Sequence, residues 1–462
     1  MSHQPNIVVI ITDQQRTDTM ACYGNEWIQS PHHDALAARS FVFENAYVTQ
    51  AVCTPARGSL ITGLYPHSHG CVVNGIPLRE ETLSIAEMMP DAYRKGYVGK
   101  WHLGDDGNCQ HGFDEWCSIA DGCGYHQWLL DQGFAPNVPN RFTPQQRAEM
   151  PASAQIGAYV GAESERFIRE NTERPWLLVA STFEPHPPYR GPYDGLYDPE
   201  EIPVGPTFLK HPEGHSLFNR VRSDFYRNTT DARVVAEDMT RDENWRKLRA
   251  QYLGNVKIVD DAIGQMVQAL DETGQMENTI FVFTSDHGEM AGDHRMWEKR
   301  AFYEESARVP FLMHVPWLST EQTRVDGVFG HADLVPTLLD LAGLPIPDQC
   351  QGESVAGALT GERDLKAHMA FMEWNGIGDR NLGNPDINLV ATLPWRCVVT
   401  GDRWKLNLCA GDQCELFDLN TDPFEEHNLF DAPEHRDRVR NMSAAIRLWQ
   451  HETGDTAPLP SI

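Results

Sequence analysis

Residues 7–14 read Ile-Val-Val-Ile-Ile-Thr-Asp-Gln, a short apolar run that ends abruptly in polar side chains. Three further apolar runs end in the same way: 97–99 before Lys100, 176–180 before the segment 183–186, and 279–283 before the pair 286–287. Continuous apolar strands are typical of a parallel sheet covered on both faces, and such sheets bind ligands beyond the carboxyl ends of their strands. The sequence therefore predicts an α/β fold with a large mixed, mostly parallel sheet flanked by helices.

The rest of the chain divides into three kinds of pattern. Apolar residues at spacings of three and four predict a helix over 244–272, which ends at Thr273-Gly274. The segment 184–240 is rich in Pro, Tyr and Arg with little periodicity, and it predicts long loops. Shorter strand-like pieces follow at 397–400 and 404–408. We therefore predict a catalytic α/β domain over 1–365 and a smaller C-terminal α+β domain with an antiparallel sheet over 366–462.

The charge balance limits the kinds of partner. The 462 residues carry 38 basic and 66 acidic side chains, a net charge of -28, which disfavours nucleic acids and anionic membranes as partners. No apolar run reaches the ~18 residues of a membrane span. The N-terminal sequence has no basic region before its apolar stretch, so it predicts a first strand rather than a signal peptide, and hence a cytoplasmic protein. The ten cysteines lack the paired C-x-x-C spacing of a zinc site and, apart from Cys53, are typical buried thiols.

Cys53 opens a segment with its own structural logic, Cys-Thr-Pro-Ala-Arg-Gly-Ser-Leu-Ile-Thr-Gly over 53–63. Pro55 suits a first helical turn and Gly63 suits the position just after a helix, so Cys53 is predicted at a helix N-terminus. Free N–H groups and the helix dipole favour an anion or an anionic transition state there. A single cysteine in this position would be read as a buried thiol, but the whole pattern, with Arg57 one turn on, favours a functional one.

The segment 53–63 resembles the signature of the type I sulfatases, which belong to the alkaline phosphatase superfamily. The similarity continues through five dispersed motifs in the family's order: TDQ at 12–14, GKWHLG at 99–104, TSDHGE at 284–289, GDHRMWEKRAFYEESARVP at 292–310 and ELFDLNTDPFEEHNL at 415–429. The resemblance implies an alkaline phosphatase-like fold. It also implies that a formylglycine-generating or equivalent maturation enzyme oxidises Cys53 to formylglycine, whose hydrate is the nucleophile.

The resemblance further implies one divalent metal ion, usually Ca²⁺. Its ligands would be Asp13, Gln14, Asp286 and His287, with position 53 completing the shell. The first three offer hard oxygen ligands at strand ends, and the fourth adds an imidazole. His287 stands where many family members have Asn, which leaves Mg²⁺ or Mn²⁺ as alternatives.

Three cations match the groups that neutralise sulfate oxygens in the family and so open sulfur to attack: Arg57, Lys100 and Lys299. Lys100 would also contact formylglycine. His102 follows Lys100 at a spacing of two, and on an extended piece the two side chains would point the same way. Taken alone, each of these residues has an ordinary structural role as its alternative.

The family's acid and base complete the predicted site. By resemblance His186 is the general acid that protonates the leaving alcohol, and His102 is the base that helps to expel sulfate. Asn74, ahead of Gly75, is a further candidate for substrate binding, with a plain turn residue as the alternative.

The predicted function is hydrolysis of a small sulfate monoester, either a carbohydrate sulfate or a small-metabolite sulfate such as choline sulfate. In the region 121–245, aromatic and basic side chains could stack on a sugar and bind an acidic group: Trp128, Tyr189, Arg190, Tyr193 and Tyr197. Two alternatives stay open, a phosphonate or phosphate ester hydrolase of the same superfamily and a catalytically silent anion-binding homologue. Assembly into a homo-oligomer also stays open.

Overall fold

The computed structural model describes residues 4–228, 237–378 and 384–462. Within these ranges, nine strands form one sheet in the order β4-β3-β5-β1-β6-β8-β2-β7, with β9 paired to β2. The strands are β1 Asn6–Asp13, β2 Phe41–Tyr47, β3 Arg94–Gly99, β4 Glu115–Ser118, β5 Trp176–Pro185, β6 Thr279–Ser285, β7 Arg308–Val309, β8 Phe311–His314 and β9 Thr323–Gly330. The strands from β4 to β6 in this order are parallel, and antiparallel pairings involve β8 and β7. The predicted mixed, mostly parallel sheet is confirmed.

The central strand shows why its apolar run is continuous. Ile7, Val9 and Ile11 face one core, while Val8 and Ile10 face a second core on the other side of the sheet. Because successive side chains of a strand point to opposite faces, a sheet covered on both sides needs an apolar residue at every position. All eight residues of β1 are buried, including the polar residues at its carboxyl end.

Helices cover both faces of the sheet. The longest, α9, spans Asp242–Glu272, where the apolar periodicity predicted a helix. It packs with α7 and α1. The helices are α1 Pro31–Ala37, α2 Cys53–Thr62, α3 Pro66–His69, α4 Ile85–Met88, α5 Gly124–Asp131, α6 Pro144–Ala148, α7 Ile156–Glu170, α8 Leu217–Arg227, α9 Asp242–Glu272, α10 Glu304–Ala307, α11 Leu334–Leu341, α12 Ala356–Leu359, α13 Pro385–Val390 and α14 Arg436–Thr453.

The prediction of loops alone over 184–240 is wrong at α8. This helix begins at Leu217, whose N–H and that of Phe218 both donate to the carboxylate of Asp412, and Ser216 N donates to Glu415. The acceptors that satisfy its first turn therefore come from the C-terminal part of the chain rather than from a local capping residue. Residues 229–236 of the predicted loop segment lie outside the described residues.

The C-terminal part forms a second, smaller sheet. Its antiparallel strands are β10 Met369–Asn375, β11 Pro394–Thr400, β12 Trp404–Leu408 and β13 Glu415–Asp418, and α14 packs on β11 and β12. Trp374, Trp395 and Phe417 from this sheet join the same buried cluster as Ile7 of the large sheet. The two sheets thus share a core, and the boundary after residue 365 stays a prediction. Across the described ranges, no helix combines the length and the apolar composition that a membrane crossing requires.

Candidate active site

Two neighbouring strand ends bring the predicted acidic residues together. The strands β1 and β6 pair in parallel with Thr12 opposite Ser285, and Asp286 N donates to Thr12 O at 3.0 Å. Asp13 and Asp286 therefore leave adjacent strands at the same edge, and both are fully buried. Gln14 follows with a left-handed backbone (φ 73°), and its N–H donates to Asp286 Oδ1 at 3.0 Å.

Cys53 is the first residue of α2, as the motif predicted. The helix ends before Gly63, which has φ 72° and donates its N–H to Ser59 O. In the first turn, Thr54 N donates to Asn74 Oδ1 at 3.0 Å. Asn74 thus satisfies one of the N–H groups that a helix start leaves without a partner, and it fixes the start of the helix that carries Cys53.

Cys53 closes a compact cluster of metal-ligating groups with Asp13, Asp286 and His287. One ligand atom from each residue lies within 4.8 Å of all the others. His287 Nε2 lies 3.2 Å from Cys53 Sγ and 3.5 Å from Asp286 Oδ1, and Cys53 Sγ lies 3.7 Å from Asp13 Oδ1. His287 Nδ1 lies 2.9 Å from the carbonyl of Gly288 and can only donate to it, which leaves the Nε2 lone pair facing the cluster. The cluster thus directs two carboxylates, an imidazole lone pair and a sulfur at one point.

The two carboxylates repel each other. Burial and the charge of Asp13 raise the pKa of Asp286. Burial also acts to raise the pKa of Asp13. Lys100, His186 and Arg57 outweigh this effect and hold the pKa of Asp13 well below its usual range. An additional positive charge between the carboxylates would be strongly stabilised.

Arg57 pairs with both carboxylates of the cluster. Its Nε donates to Asp286 at 2.9 Å, Nη2 to Asp13 at 3.2 Å, and Nη1 to Lys100 O at 3.1 Å and Ser181 Oγ at 2.6 Å. The guanidinium is 1% exposed and has committed these donors to the protein. Arg57 therefore holds the two carboxylates, and its predicted contact with sulfate oxygens stays a prediction.

Two lysines from different loops lie at the cluster. Lys100 Nζ donates to Asp13 Oδ2, and Lys299 Nζ donates to Gln14 Oε1 at 2.5 Å. Both are buried, in a loop after β3 and a loop after β6 respectively. Burial alone would raise the pKa of the Cys53 thiol, but Lys100, Lys299 and His287 hold it well below its ordinary value. The position of Cys53 therefore favours negative charge.

His102 has a different backbone from the predicted one. The strand β3 ends at Gly99 (φ 107°), and His102 is left-handed (φ 60°), so Lys100 and His102 do not alternate on an extended piece. His102 N donates to Asp106 Oδ1 at 2.7 Å, and Thr54 Oγ1 donates to His102 O at 2.8 Å. These two bonds hold the turn, and the His102 side chain acts to lower the pKa of the Cys53 thiol.

His186 follows β5, and its pKa responds to Asp13, Lys100 and Cys53 of the cluster. Its Nδ1 lies 2.7 Å from the carbonyl of Pro187. The carbonyl can only accept, so Nδ1 carries the proton and Nε2 is the nitrogen available to a ligand. Burial and Lys299 lower the pKa of His186, while Asp13 acts against this shift.

The aromatic residues proposed for sugar stacking are not equally available. Tyr189 is fully buried and Tyr197 is 5% exposed, so neither can stack on a ligand, because both rings are packed into a core around α9. Trp128 and Tyr193 are half-buried. Arg190 is exposed, and it lines a small pocket beside His186 together with Arg147, Glu184 and Asn255. Burial raises the pKa of Glu184 to about 7.

Several residues at the site were given no role in the sequence analysis. Ser181 accepts from Arg57, Asp106 holds the His102 turn, and Glu289 contacts Gln14. The signal for Glu289 was present, since it is the last residue of the TSDHGE motif. Ser181 sits on β5 without a motif of its own, and only the parallel pairing of β5 with β1 and β3 brings it to the site.

The chain matches two family models. The model named Sulfatase covers residues 5–344, and the model named N-sulphoglucosamine sulphohydrolase, C-terminal, covers residues 292–452. Relatives include an ulvan-active sulfatase of Formosa agariphila, 29% identical over 98% of this chain and 82% of the relative. An arylsulfatase of Clostridium perfringens is 29% identical over 94% of this chain and 92% of the relative. Among solved structures, a phosphonate monoester hydrolase from Silicibacter pomeroyi superposes with a TM-score of 0.81, at 26% identity, over 97% of this chain and 96% of that one.

Proposed function

This chain belongs to the sulfatase family, and from that premise we propose that it hydrolyses a sulfate monoester through a formylglycine formed from Cys53 and one divalent metal ion. The family and its named members identify the chain as a sulfuric ester hydrolase. The observation that carries the finer proposal is the surrounding of Cys53. Cys53 starts a helix, its sulfur lies 3.2 Å from His287 Nε2, and it clusters with the carboxylates of Asp13 and Asp286. Lys100 and Lys299 lower the pKa of its thiol.

The donor set fits a divalent cation. Asp13, Asp286 and His287 direct two carboxylates and an imidazole lone pair at one point, and Gln14 Oε1 faces the same region through its contact with Lys299. Oxygen ligands favour Ca²⁺, while the imidazole keeps Mg²⁺ and Mn²⁺ as alternatives. When bound, the ion would supply Lewis-acid polarisation of a sulfate oxygen. Arg57 would hold both carboxylates in place through its ion pairs with Asp13 and Asp286.

The two lysines would bind the sulfate group. The ammonium groups of Lys100 and Lys299 both lower the pKa of the Cys53 thiol, and both side chains are less than a tenth exposed. A buried ammonium interacts strongly with an anion because water screens it poorly. Charge on the sulfate oxygens is the chief barrier to attack on sulfur, so neutralising it at these two positions favours the reaction. The hydrate of formylglycine would supply the attacking oxygen, as in the family.

His186 would deliver the proton to the leaving alcohol. Its Nδ1–H is held by Pro187 O, so in the imidazolium form the second proton sits on Nε2, on the side of Cys53. The negative charge of a bound sulfate would favour this imidazolium, against the effect of burial and Lys299. His102, whose side chain acts to lower the pKa of the Cys53 thiol, would accept the proton that is released when sulfate leaves.

We expect His186→Ala to slow poor leaving groups much more than good ones. An aliphatic alkoxide such as that of a sugar needs a proton as it departs, whereas an activated phenolate needs little help. General acid catalysis is typically worth ~100- to 10,000-fold, so this loss should appear with a sugar sulfate and be small with a nitrophenyl sulfate. The measurement is kcat/KM for both substrates with both proteins.

His211→Ala is the matched control, because His211 lies in the same stretch of chain but pairs with Asp224 away from Cys53. This control should behave as the wild type on both substrates. Metal content and melting temperature must be equal in all proteins, since their loss would depress both rates together. Equal losses on both substrates with metal retained would assign His186 to sulfate positioning instead.

The substrate class we propose is a carbohydrate or small-metabolite sulfate. Arg147 and Arg190 beside His186 lie on the leaving-group side of the site and would suit an acidic group on that alcohol. The principal alternative, a phosphonate ester hydrolase, is favoured by the close superposition with such an enzyme. Rates on matched aryl sulfate and aryl phosphonate esters test the proposal, and a faster phosphonate reaction would replace it. A panel of neutral and acidic sugar sulfates and choline sulfate then identifies the alcohol.

A further inference from the structure

Glu289 is a fully buried carboxylate that the mechanism above does not use. It lies three residues beyond Asp286, after the carboxyl end of β6, and its side chain is inaccessible to solvent. A buried carboxylate is costly unless hydrogen bonds or positive charges compensate for the lost water. Its partners therefore show what it stabilises.

Among the described residues, four donors converge on Glu289. Gln14 Nε2 and Tyr189 OH both donate to Oε2, while Ala291 N and Glu298 N donate to Oε1 at 2.8 and 2.6 Å. An amide N–H₂ and a backbone N–H can only donate, so both carboxyl oxygens of Glu289 act as acceptors here. One oxygen thus serves Gln14, and the other serves the loop that follows β6.

The bonds at Oε2 decide which way the Gln14 amide points. The nitrogen donates to Glu289 and to Tyr189 OH, the latter at 3.0 Å, so the oxygen must face the opposite way. That oxygen accepts from Lys299 Nζ at 2.5 Å. If the amide were rotated by 180°, its N–H₂ group would face the Lys299 ammonium. Both groups are donors, so the hydrogen bond would be lost.

The bonds at Oε1 hold the loop that carries Lys299. Glu298 is left-handed (φ 66°) and directly precedes Lys299, and its carbonyl accepts from Met290 N at 2.8 Å. Ala291 is also left-handed (φ 44°). Left-handed backbone is unfavourable for residues other than glycine, so both positions need compensating bonds. Glu289 supplies one to each.

We propose that Glu289 is a positioning residue for the proposed metal site: it fixes the Gln14 amide with its oxygen toward Lys299, and it fixes the loop bearing Lys299. Its carboxylate links the two sides of the site, since Gln14 and Lys299 come from different loops and meet at a single hydrogen bond. The inference concerns the metal centre of the proposed function and rests on it. It assigns to Glu289 no contact with substrate.

An exchange of the two side chains tests this role. In Glu289→Gln, the new amide must offer its oxygen to the two backbone N–H groups and its nitrogen to Gln14, so Gln14 must turn its own nitrogen toward Lys299. In Gln14→Glu, two carboxylates face each other. In the double variant Gln14→Glu/Glu289→Gln, the amide at 289 donates to the carboxylate at 14, and an oxygen again faces Lys299. The pattern of donors and acceptors is restored only in the double variant.

The measurement is the affinity for Ca²⁺ alone and for Mn²⁺ alone, by calorimetric titration of metal-stripped protein that keeps the Cys53 thiol. Loss of an outer hydrogen-bond partner typically costs 10–100-fold in metal affinity, so we expect a loss of ~10–100-fold in Glu289→Gln. The double variant should recover most of that loss. Tyr189→Phe, which removes one of the two acceptors of the Gln14 nitrogen, should show a smaller loss and is the milder probe if Glu289→Gln folds poorly.

The outcomes separate the two proposals. Wild-type affinity in Glu289→Gln, or a double variant no better than the single one, would overturn the role of Glu289 while leaving the sulfatase proposal intact. No metal binding by the wild type would instead overturn the proposed metal centre. A crystal structure of Glu289→Gln gives a readout without metal, in which an unmoved Gln14 amide and an unmoved 289–299 loop would also overturn the inference.

Discussion

In a Cys53→Ser variant, we expect multiple turnover of a sulfate ester to fall by about 1,000-fold or more while the fold is retained. The substitution exchanges one buried atom at the start of α2, and the helix keeps Pro55, Gly63 and the Asn74 bond. The chemistry changes far more than the packing does. A serine hydroxyl could accept a sulfuryl group once, but it has no second hydroxyl on the same carbon whose deprotonation would expel sulfate.

Cys71→Ser is the matched control for this variant. Cys71 is another fully buried thiol, but burial raises its pKa to about 12, whereas the cations around Cys53 lower the pKa of that thiol. The control should therefore lose some stability and keep its turnover. Peptide mass spectrometry of active wild-type protein should find the aldehyde at position 53. Multiple turnover by Cys53→Ser at the wild-type rate, or active protein with only thiol at that position, would contradict the mechanism.

The sequence predicted those parts of the fold whose stabilising contacts produce a local pattern of apolar residues. The apolar runs gave β1, β5 and β6 because a doubly covered sheet requires them, and the spacing of three and four gave α9 to within two residues of its start. The helix α8 was missed for the opposite reason. The carboxylate that satisfies its first turn belongs to Asp412, about two hundred residues away in the chain, and no local pattern records that contact.

The candidate site shows the same division. Motifs identified Asp13, Cys53, Asp286 and His287, because ligand residues at strand ends and a helix start leave a recognisable pattern. The way in which side chains are used was beyond the sequence. The motif placed Arg57 at the site, but it did not indicate that its donors hold the carboxylates of Asp13 and Asp286.

Two predictions, the extended backbone at His102 and the stacking role of Tyr189, were wrong because they depend on geometry that only the fold reveals. The turn at His102 needs a left-handed residue held by Asp106 and Thr54, which a period-two reading of Lys100 and His102 cannot anticipate. Tyr189 was predicted to stack on a sugar because it is aromatic. It is buried instead, and its hydroxyl links the Gln14 amide to Glu289 by hydrogen bonds.

The second large effect is expected from Asp286→Asn. This substitution keeps the size of the side chain and removes a charge from the cluster. Because Asp286 contributes an oxygen directly to the proposed metal site, the loss of metal affinity should exceed the ~10–100-fold typical of outer partners, and turnover should fall with metal content. Elemental analysis of purified protein and titration with Ca²⁺ measure the first effect, and aryl sulfate hydrolysis measures the second.

Glu373→Gln is the control that separates metal binding from the general cost of losing a buried carboxylate. Glu373 is also fully buried and hydrogen-bonded to a histidine, His67, but it lies on β10 and belongs to neither group of metal-ligating side chains among the described residues. It should lose stability and keep its metal affinity. A fully metal-loaded, active Asp286→Asn protein would end the proposed coordination.

The stability of Asp286→Asn should reveal how the cluster balances its charges. Asp286 accepts from Arg57 Nε at 2.9 Å, and removing one partner of a buried ion pair typically costs ~3–5 kcal/mol. The same substitution removes the repulsion between Asp286 and Asp13 that, together with burial, raises the pKa of Asp286. In metal-free protein these two effects oppose each other, so the melting temperature should fall less than the ion pair alone predicts. In metal-loaded wild type the cation has already cancelled the repulsion, and the gap in melting temperature between wild type and variant should therefore widen when Ca²⁺ is added.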